Sequence, residues 1–175
     1  MVTFELRKDD IHKLFMLLNA ELAAEEVQGE VFMVGGAVMC LVLDARSATR
    51  DVDAFFRPTK LIREAAIRVA SLAGVPASWL NDAVKSYLSP RGEYDPFLEF
   101  DSLRVFVAQP AYLLAMKCAS MRLGAEFHDL DDIRYLLRYL NISTAEEALS
   151  IVLQYFDEEH LLPKTRLALE ELLPG

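Results

Sequence analysis

The sequence is poor in cysteine, histidine and tryptophan, with two, three and one of these residues among its 175. The two cysteines, Cys40 and Cys118, lie inside apolar segments and cannot form a disulfide framework. No Cys/His spacing typical of a zinc site occurs in the chain. These absences exclude disulfide-rich secreted domains and zinc modules, and they predict a reducing compartment.

Long apolar runs are also absent from the sequence. The uncharged run from Val31 to Leu43 has 13 residues and none is longer, whereas a transmembrane helix needs about 20. The first ten residues, MVTFELRKDD, are charged and lack the apolar centre of a signal peptide. We therefore expect a cytoplasmic protein that does not bind membranes.

Positive charge is scarce, because 18 Lys and Arg against 27 Asp and Glu give a net charge of −9. A chain of this charge repels nucleic acid as a whole. Residues 46–68 are the exception, with six cations against three acids, which leaves −12 for the rest of the chain. The cations are Arg46, Arg50, Arg57, Lys60, Arg63 and Arg68. If the protein acts on a polyanion, this basic segment is the expected guide.

The remaining composition, 53% hydrophobic and 26% charged, is typical of a globular protein. Apolar periodicity predicts helices, strands and one hairpin up to about residue 108, and helices alone after Pro110. The predicted helices are 8–27, 37–43, 59–73, 111–123, 128–140, 144–156 and 164–173, and 78–88 is weakly helical. The predicted strands are 31–34, 50–56, 97–100 and 103–107. The pattern predicts an α/β (α+β) fold, with an α/β core over 1–108 and a helical subdomain over 109–175.

One stretch, VGGAVMCLVLDARSATRDVD at residues 34–53, combines two features that carry chemistry. Asp51 and Asp53 are two positions apart on a predicted strand, so their side chains project from the same side. Each carboxylate then raises the pKa of the other unless a cation is present. Paired carboxylates suit Mg²⁺, and two such ions can clamp the oxygens of a phosphoryl transfer. Gly35 and Gly36 lie between strand and helix, where the backbone can approach a phosphate. Together these features indicate phosphoryl-transfer chemistry.

Lys117 is the one charged residue in the apolar helix AYLLAMKCASM, residues 111–121. Its stem can lie on the core with the ammonium in solvent. Alternatively, the ammonium faces a phosphate or a carboxylate, since an unpaired buried charge is very costly. Asp129 and Asp132 share one helix face further on. Asp129 also fits the first turn of a helix, which makes Asp132 the preferred functional candidate.

Residues 34–53 resemble the signature of the DNA polymerase β-type nucleotidyltransferase superfamily. The Gly-Gly-Ala start with Arg-x-x-Thr-x-Asp-x-Asp is similar to the toxin components of AbiE-type systems and to small related nucleotidyltransferases. The stretch PAYLLAMKCASMRLGAEFHDLDDI, residues 110–133, resembles a later Leu-Leu-Ala-x-Lys helix and an Asp-Leu-x-Asp-Ile segment of these proteins. The resemblance implies a nucleotidyltransferase fold, with a small mixed sheet flanked by helices and a C-terminal helical subdomain.

The resemblance also assigns roles to individual residues. Asp51 and Asp53 match the metal-binding aspartates, and Gly35 and Gly36 the phosphate turn. The resemblance also implies that Arg46, Thr49 and Lys117 bind the nucleotide. It implies a catalytic role for Asp51, Asp53 and Lys117, and for Asp132 or Asp129. The implied cofactor is Mg²⁺, as one ion or two.

The superfamily usually adds a third carboxylate on a later strand, for which the sequence offers Glu99 and Asp101. Asp101 with Ser102 fits a hairpin turn, which leaves Glu99. If Glu99 instead faces solvent, the acceptor hydroxyl would be activated by metal alone.

The expected activity is Mg²⁺-dependent transfer of a nucleoside monophosphate from an NTP to a hydroxyl of RNA or protein. By resemblance, the chain would be the toxin of a toxin–antitoxin pair, with an antitoxin protein as partner. Two alternatives stay open at this point. One is a nucleotidyltransferase that modifies a small molecule such as an antibiotic, and the other is a non-catalytic relative that binds a nucleotide or a partner.

Overall fold

The computed structural model describes residues 4–120 and 129–173, which form a mixed α/β structure. Its helices are α1 (Lys8–Ala24), α2 (Gly36–Leu41), α3 (Thr59–Ala73), α4 (Pro110–Ala119), α5 (Asp129–Tyr139), α6 (Ala145–Tyr155) and α7 (Pro163–Leu172). Its strands are β1 (Leu6–Arg7), β2 (Gly29–Val34), β3 (Ala48–Thr49), β4 (Val52–Arg57), β5 (Leu80–Asn81), β6 (Tyr94–Glu99) and β7 (Leu103–Ala108). The predicted fold class, a small mixed sheet flanked by helices, is confirmed.

The described residues divide into two compact units. The first comprises the chain up to Ser86 together with Tyr94–Ala108, and it contains both sheets. The second comprises Tyr87–Glu93 and the described residues from Gln109 onward. The segment Tyr87–Glu93, between β5 and β6, therefore belongs to the helical unit.

The main sheet of the first unit has the strand order β5-β4-β2-β7-β6. Its centre is apolar because β2 contributes Val31 and Met33 to one face, and both are fully buried. Helices α1 and α3 pack on this face, since a Cβ atom at Gly29 would lie 2.9 Å from Leu22 Cδ1 and 3.0 Å from Ile62 Cδ1. The opposite sheet face carries Asp53 and a row of aromatic residues.

Several local predictions differ from the structure, and the strand predicted at 97–100 is Tyr94–Glu99. Segment 78–88 is not a helix but two short 3-10 turns around strand β5, whose Asn81 pairs in register with Asp53. The helix predicted to run to residue 27 ends at Ala24. The hairpin of β6 and β7 is present, and the amide of Phe100 donates to the carbonyl oxygen of Leu103 at 2.8 Å around the Asp101–Ser102 turn.

The second unit is built from α4, α5, α6 and α7 and holds segment Tyr87–Glu93 by hydrogen bonds. The amide of Ser89 donates to the Tyr112 hydroxyl at 3.0 Å, and the Tyr155 hydroxyl donates to Glu93 Oε1 at 2.9 Å. Burial, reinforced by Glu93, raises the pKa of Tyr155 to about 12, so this hydroxyl stays a donor at neutral pH. These bonds explain why the segment groups with the helices.

Within the described ranges, the structure contains no helix of the length and apolarity that a bilayer span requires.

Candidate metal and nucleotide site

The two aspartates of the opening motif lie at the start of β4. Asp53 is the second residue of the strand and pairs with Val34, the last residue of β2. Asp51 directly precedes the strand, so the predicted strand start at residue 50 is early by two residues. Both side chains are half-buried, while Val52 and Ala54 between and after them are buried in the core. Alternation along the chain therefore puts both carboxylates on the side away from the core.

Asn81 is a neighbour of this pair that sequence reasoning missed. Its side-chain amide donates to Asp51 Oδ2 at 3.0 Å, an arrangement that follows from the parallel pairing of β5 with β4. Burial and the charge of Asp53 raise the pKa of Asp51, and the Asn81 hydrogen bond opposes that rise. The pair is thus an electrostatically strained carboxylate site, which a bound cation would relieve.

The two glycines form the turn that closes against these carboxylates. Gly35 has φ +70°, a conformation that favours glycine, and a Cβ there would lie 3.1 Å from Asp53 Oδ2. A Cβ at Gly36 would lie 2.9 Å from Arg46 Nη1 and 3.1 Å from Thr49 Oγ1. The turn therefore leaves no room for side chains between the backbone, the acids and the Arg46 guanidinium.

Thr49, predicted to bind the nucleotide, makes a hydrogen bond within the protein. Its hydroxyl donates to the carbonyl oxygen of Asp51 at 3.2 Å. Because this bond uses the only proton of the hydroxyl, Thr49 fixes the turn that leads into β4. Arg46, half-buried beside Gly36, is the cation that the motif places next to the glycine turn.

Glu99, the predicted third carboxylate, does not join the pair. It is exposed at the end of β6. In the register of the sheet, Glu99 pairs with Arg104 on β7, Arg104 with Glu30 on β2, and Glu30 with Arg57 on β4. Arg57 is four residues from Asp53, about 13 Å along a strand, and β6 is three strands away from β4. Glu99 is therefore a solvent-facing strand residue at the far end of the sheet.

The sequence-predicted residues of the first unit thus form one cluster. The structure brings together Gly35, Gly36, Arg46, Thr49, Asp51 and Asp53, adds Asn81, and leaves out Glu99. A signal for Asn81 was present in the sequence, since a polar residue directly after the apolar Trp79-Leu80 pair is typical of a strand end. We missed it because two-residue strands have no periodicity to read.

We expect Gly36→Ala to weaken nucleotide binding by about tenfold or more while leaving the fold intact. The added methyl group would lie 2.9 Å from the Arg46 guanidinium and 3.1 Å from the Thr49 hydroxyl, and both are side-chain rather than backbone atoms. Titration with a fluorescent NTP analogue in Mg²⁺ measures the effect. Ala73→Gly at the end of α3, outside the glycine turn, is the control and should bind the nucleotide as the wild type does. Unchanged affinity in Gly36→Ala would contradict a phosphate role for the turn.

Lys117 is a part-buried cation held by two buried carboxylates of the second unit. Its Nζ lies 2.9 Å from Asp132 Oδ2 and 3.3 Å from Asp129 Oδ1. The side chain of Lys117 is 12% exposed and those of both aspartates are 4% exposed. Of the two predicted interpretations of Lys117, the structure supports the ammonium held by carboxylates, and both candidate aspartates take part.

A second group of potential metal ligands lies on the surface of the helical unit. Ligand atoms of Asp157, Glu159 and His160 lie within 4.8 Å of one another, and all three residues are exposed. Asp157 already pairs with Arg91 at 3.2 Å. Exposed acids often cluster in this way without an ion, so these residues carry no assignment here.

No family model matches this chain, and neither does any curated protein or solved structure.

Proposed function

We propose that the protein is a Mg²⁺-dependent nucleotidyltransferase that moves a nucleoside monophosphate from an NTP to an acceptor hydroxyl. One observation carries the proposal. The Asp51–Asp53 pair, the Gly35–Gly36 turn and the Arg46 guanidinium, which lie up to 18 positions apart in the sequence, meet at one end of the sheet. Acids for a metal, a close-approach turn and a cation are the parts that phosphoryl transfer requires.

The donor set fits Mg²⁺. Asp51 and Asp53 offer hard carboxylate oxygens, and the raised pKa of Asp51 reflects the repulsion that a divalent cation would cancel. Mg²⁺, when bound, neutralises charge on the phosphates and on the attacking and leaving oxygens. Asn81 holds the Asp51 carboxylate in place through its amide, so it is a positioning residue.

In the proposed reaction the acceptor oxygen bonds to the α-phosphorus, and the bond between that phosphorus and the oxygen bridging to the β-phosphate breaks. Pyrophosphate leaves and the hydroxyl proton passes to solvent. Arg46 and the backbone of Gly35 and Gly36 would bind the departing phosphates, where charge accumulates in the transition state. Thr49 keeps the Asp51 carbonyl and hence the start of β4 in position.

We further propose that the protein belongs to the superfamily that its motifs resemble. Within that superfamily it would be a toxin-like nucleotidyltransferase with an antitoxin protein as partner. The Lys117–Asp129–Asp132 cluster supports this closer placement, because the later motif supplies all three residues and they contact each other. We assign Lys117 and Asp132 a contribution to transfer on that basis. The alternative of a non-catalytic relative is favoured by one observation, the distance of Glu99 from the aspartate pair.

A single experiment separates these candidates. The protein is incubated with Mg²⁺ and each of the four α-labelled NTPs in turn, with total RNA, cell protein or an aminoglycoside as acceptor. Label in the RNA or protein pool supports the proposal, and label in the antibiotic supports small-molecule modification. Binding of an NTP with no label in any pool would contradict transfer and favour the non-catalytic relative.

A further inference from the structure

Asn81 lies in the same row of the main sheet as Asp53. The two residues pair in register on the parallel strands β5 and β4, and paired residues project from the same face of a sheet. Asp51, two positions before Asp53, projects from that face as well, and its Oδ2 accepts the hydrogen bond from Asn81 Nδ2 at 3.0 Å. Two carboxylates and one amide therefore meet at the start of β4.

The hydrogen bond fixes which way the amide of Asn81 is turned. An ionised carboxylate only accepts hydrogen bonds, so the NH₂ arm of the amide faces Asp51. The other arm is the carbonyl oxygen Oδ1, a neutral hard oxygen of the kind that suits Mg²⁺, Ca²⁺ and Mn²⁺. Asn81 can therefore hold Asp51 with one arm and offer an oxygen to a metal ion with the other.

The chain on either side of Asn81 is held by helix α3. The indole N–H of Trp79, which is fully buried, donates to the carbonyl oxygen of Ala66 at 2.9 Å. On the other side, Arg63 Nη2 donates to Asp82 Oδ2 at 2.5 Å. Ala66 and Arg63 both belong to α3, so one helix anchors both flanks of this two-residue strand. The position of the Asn81 side chain is therefore built into the fold.

The charge of this group suits one divalent ion. Asp51 and Asp53 contribute one negative charge each and the amide contributes none. Within residues 4–120 and 129–173, neither aspartate belongs to a group of three Asp, Glu, His or Cys residues whose ligand atoms lie within 4.8 Å of one another. Mg²⁺ is usually held by one or two carboxylates, with waters in its other positions. A second ion about 4 Å away would meet repulsion that no third carboxylate offsets.

We propose that Asn81 is the third residue of the metal site and that the site holds a single divalent ion. The neutral amide stands beside the aspartates, whereas Glu99, the expected third carboxylate, lies at the far end of the sheet. Asn81 then sets the affinity for the metal as well as the position of Asp51. This inference rests on the proposed function, because it names the ligands and the number of ions for the same site.

The test is titration of the nucleotide-free protein with Mn²⁺, in which electron paramagnetic resonance counts the bound ions. The ions at this site are the difference between the wild type and the double variant Asp51→Asn, Asp53→Asn, because other surface acids are the same in both. We expect a difference of about one ion per chain. Asn81→Leu should bind this ion about 10–100-fold more weakly, the range for loss of a group that orients a metal ligand. Asn81→Asp should bind it more tightly, because affinity rises with the charge of the ligands.

The opposite effects of the two substitutions distinguish a metal-site residue from a merely structural one, whose replacement would weaken binding in both variants. Asn141→Asp is the matched control, since it adds the same charge at an exposed residue after α5. It should bind as the wild type does. A difference of two ions, weaker binding in Asn81→Asp, or unchanged affinity in folded Asn81→Leu would overturn the inference. If one of these results appears while label is transferred from NTP, the proposed function stands without the inference. If one ion binds and depends on Asn81 but no NTP is used, the proposed function fails instead.

Discussion

Asp53→Asn should lower nucleotidyl transfer by at least about 10²–10³-fold, the scale expected for loss of one preorganised electrostatic contact at a reacting centre. Asp53 faces the glycine turn, and its Oδ2 lies 3.1 Å from the Cβ position of Gly35. The substitution keeps the shape of the side chain and removes the charge. Initial rates with α-labelled NTP and the acceptor pool that the wild type labels give the measurement.

The matched control is Glu99→Gln, which removes a carboxylate from the far end of the same sheet. We expect it to retain transfer at the wild-type rate. The apo form of Asp53→Asn should unfold at the same temperature as the wild type or higher, because Asn removes the like charge that acts on Asp51. Full activity in Asp53→Asn would refute the metal role of the pair.

Lys117→Met should destabilise the protein by about 3–5 kcal/mol, the cost typical of removing one partner from a buried ion pair. The reason is that Asp129 and Asp132, each 4% exposed, would remain close together without their shared cation. Urea denaturation followed by circular dichroism measures the change. An inactive Lys117→Met variant is therefore no evidence for catalysis unless its stability is known.

Two further variants make the stability prediction specific. Arg134→Met removes one partner of an exposed pair and should cost less than about 1 kcal/mol. Lys117→Met combined with Asp129→Asn and Asp132→Asn removes the whole buried charge cluster and should recover part of the loss. A loss below about 1 kcal/mol in Lys117→Met alone would mean that the ammonium does not stabilise the carboxylates.

The sequence predicted the parts of the fold that have a clear period or a strong local signal. The long helices α1 and α3 follow apolar spacing, and the β6–β7 hairpin follows the Asp101–Ser102 turn. The helix end at Ala24 was misplaced because polar residues after it continue the pattern without breaking it. Strand β5 has two residues and is formed by pairing with β4, so tertiary contact rather than local propensity decides it.

Some residues of the candidate site could be predicted from the sequence and others could not. The resemblance of residues 34–53 to a nucleotidyltransferase signature implied that Gly35, Gly36, Asp51 and Asp53 lie in one cluster, and the structure brings these residues together. The position of Glu99 could not be predicted, because it depends on strand order and register and not on residue type. The rings of Phe55, Phe32 and Phe106 stack because these residues align across three strands. Alternation within one strand does not reveal such an alignment.

Competition between a proton and Mg²⁺ for Asp51 would make metal binding at the proposed site depend on pH. The raised pKa of Asp51 means that the apo folded state holds its proton at higher pH than the unfolded chain does. This group therefore favours the apo fold below the ordinary carboxyl pKa, and that contribution is lost as pH rises through the raised value. Bound Mg²⁺ reverses the preference, because it requires the charged form.

Isothermal titration of the nucleotide-free protein with Mg²⁺, at neutral pH and at about pH 5, tests whether Asp51 and Asp53 bind the metal. We expect saturable binding to the wild type that weakens at the lower pH. This binding should be lost in both Asp51→Asn and Asp53→Asn but kept in Glu99→Gln. Binding that survives in Asp53→Asn, or that disappears in Glu99→Gln, would contradict the assignment of Asp51 and Asp53 as the metal ligands.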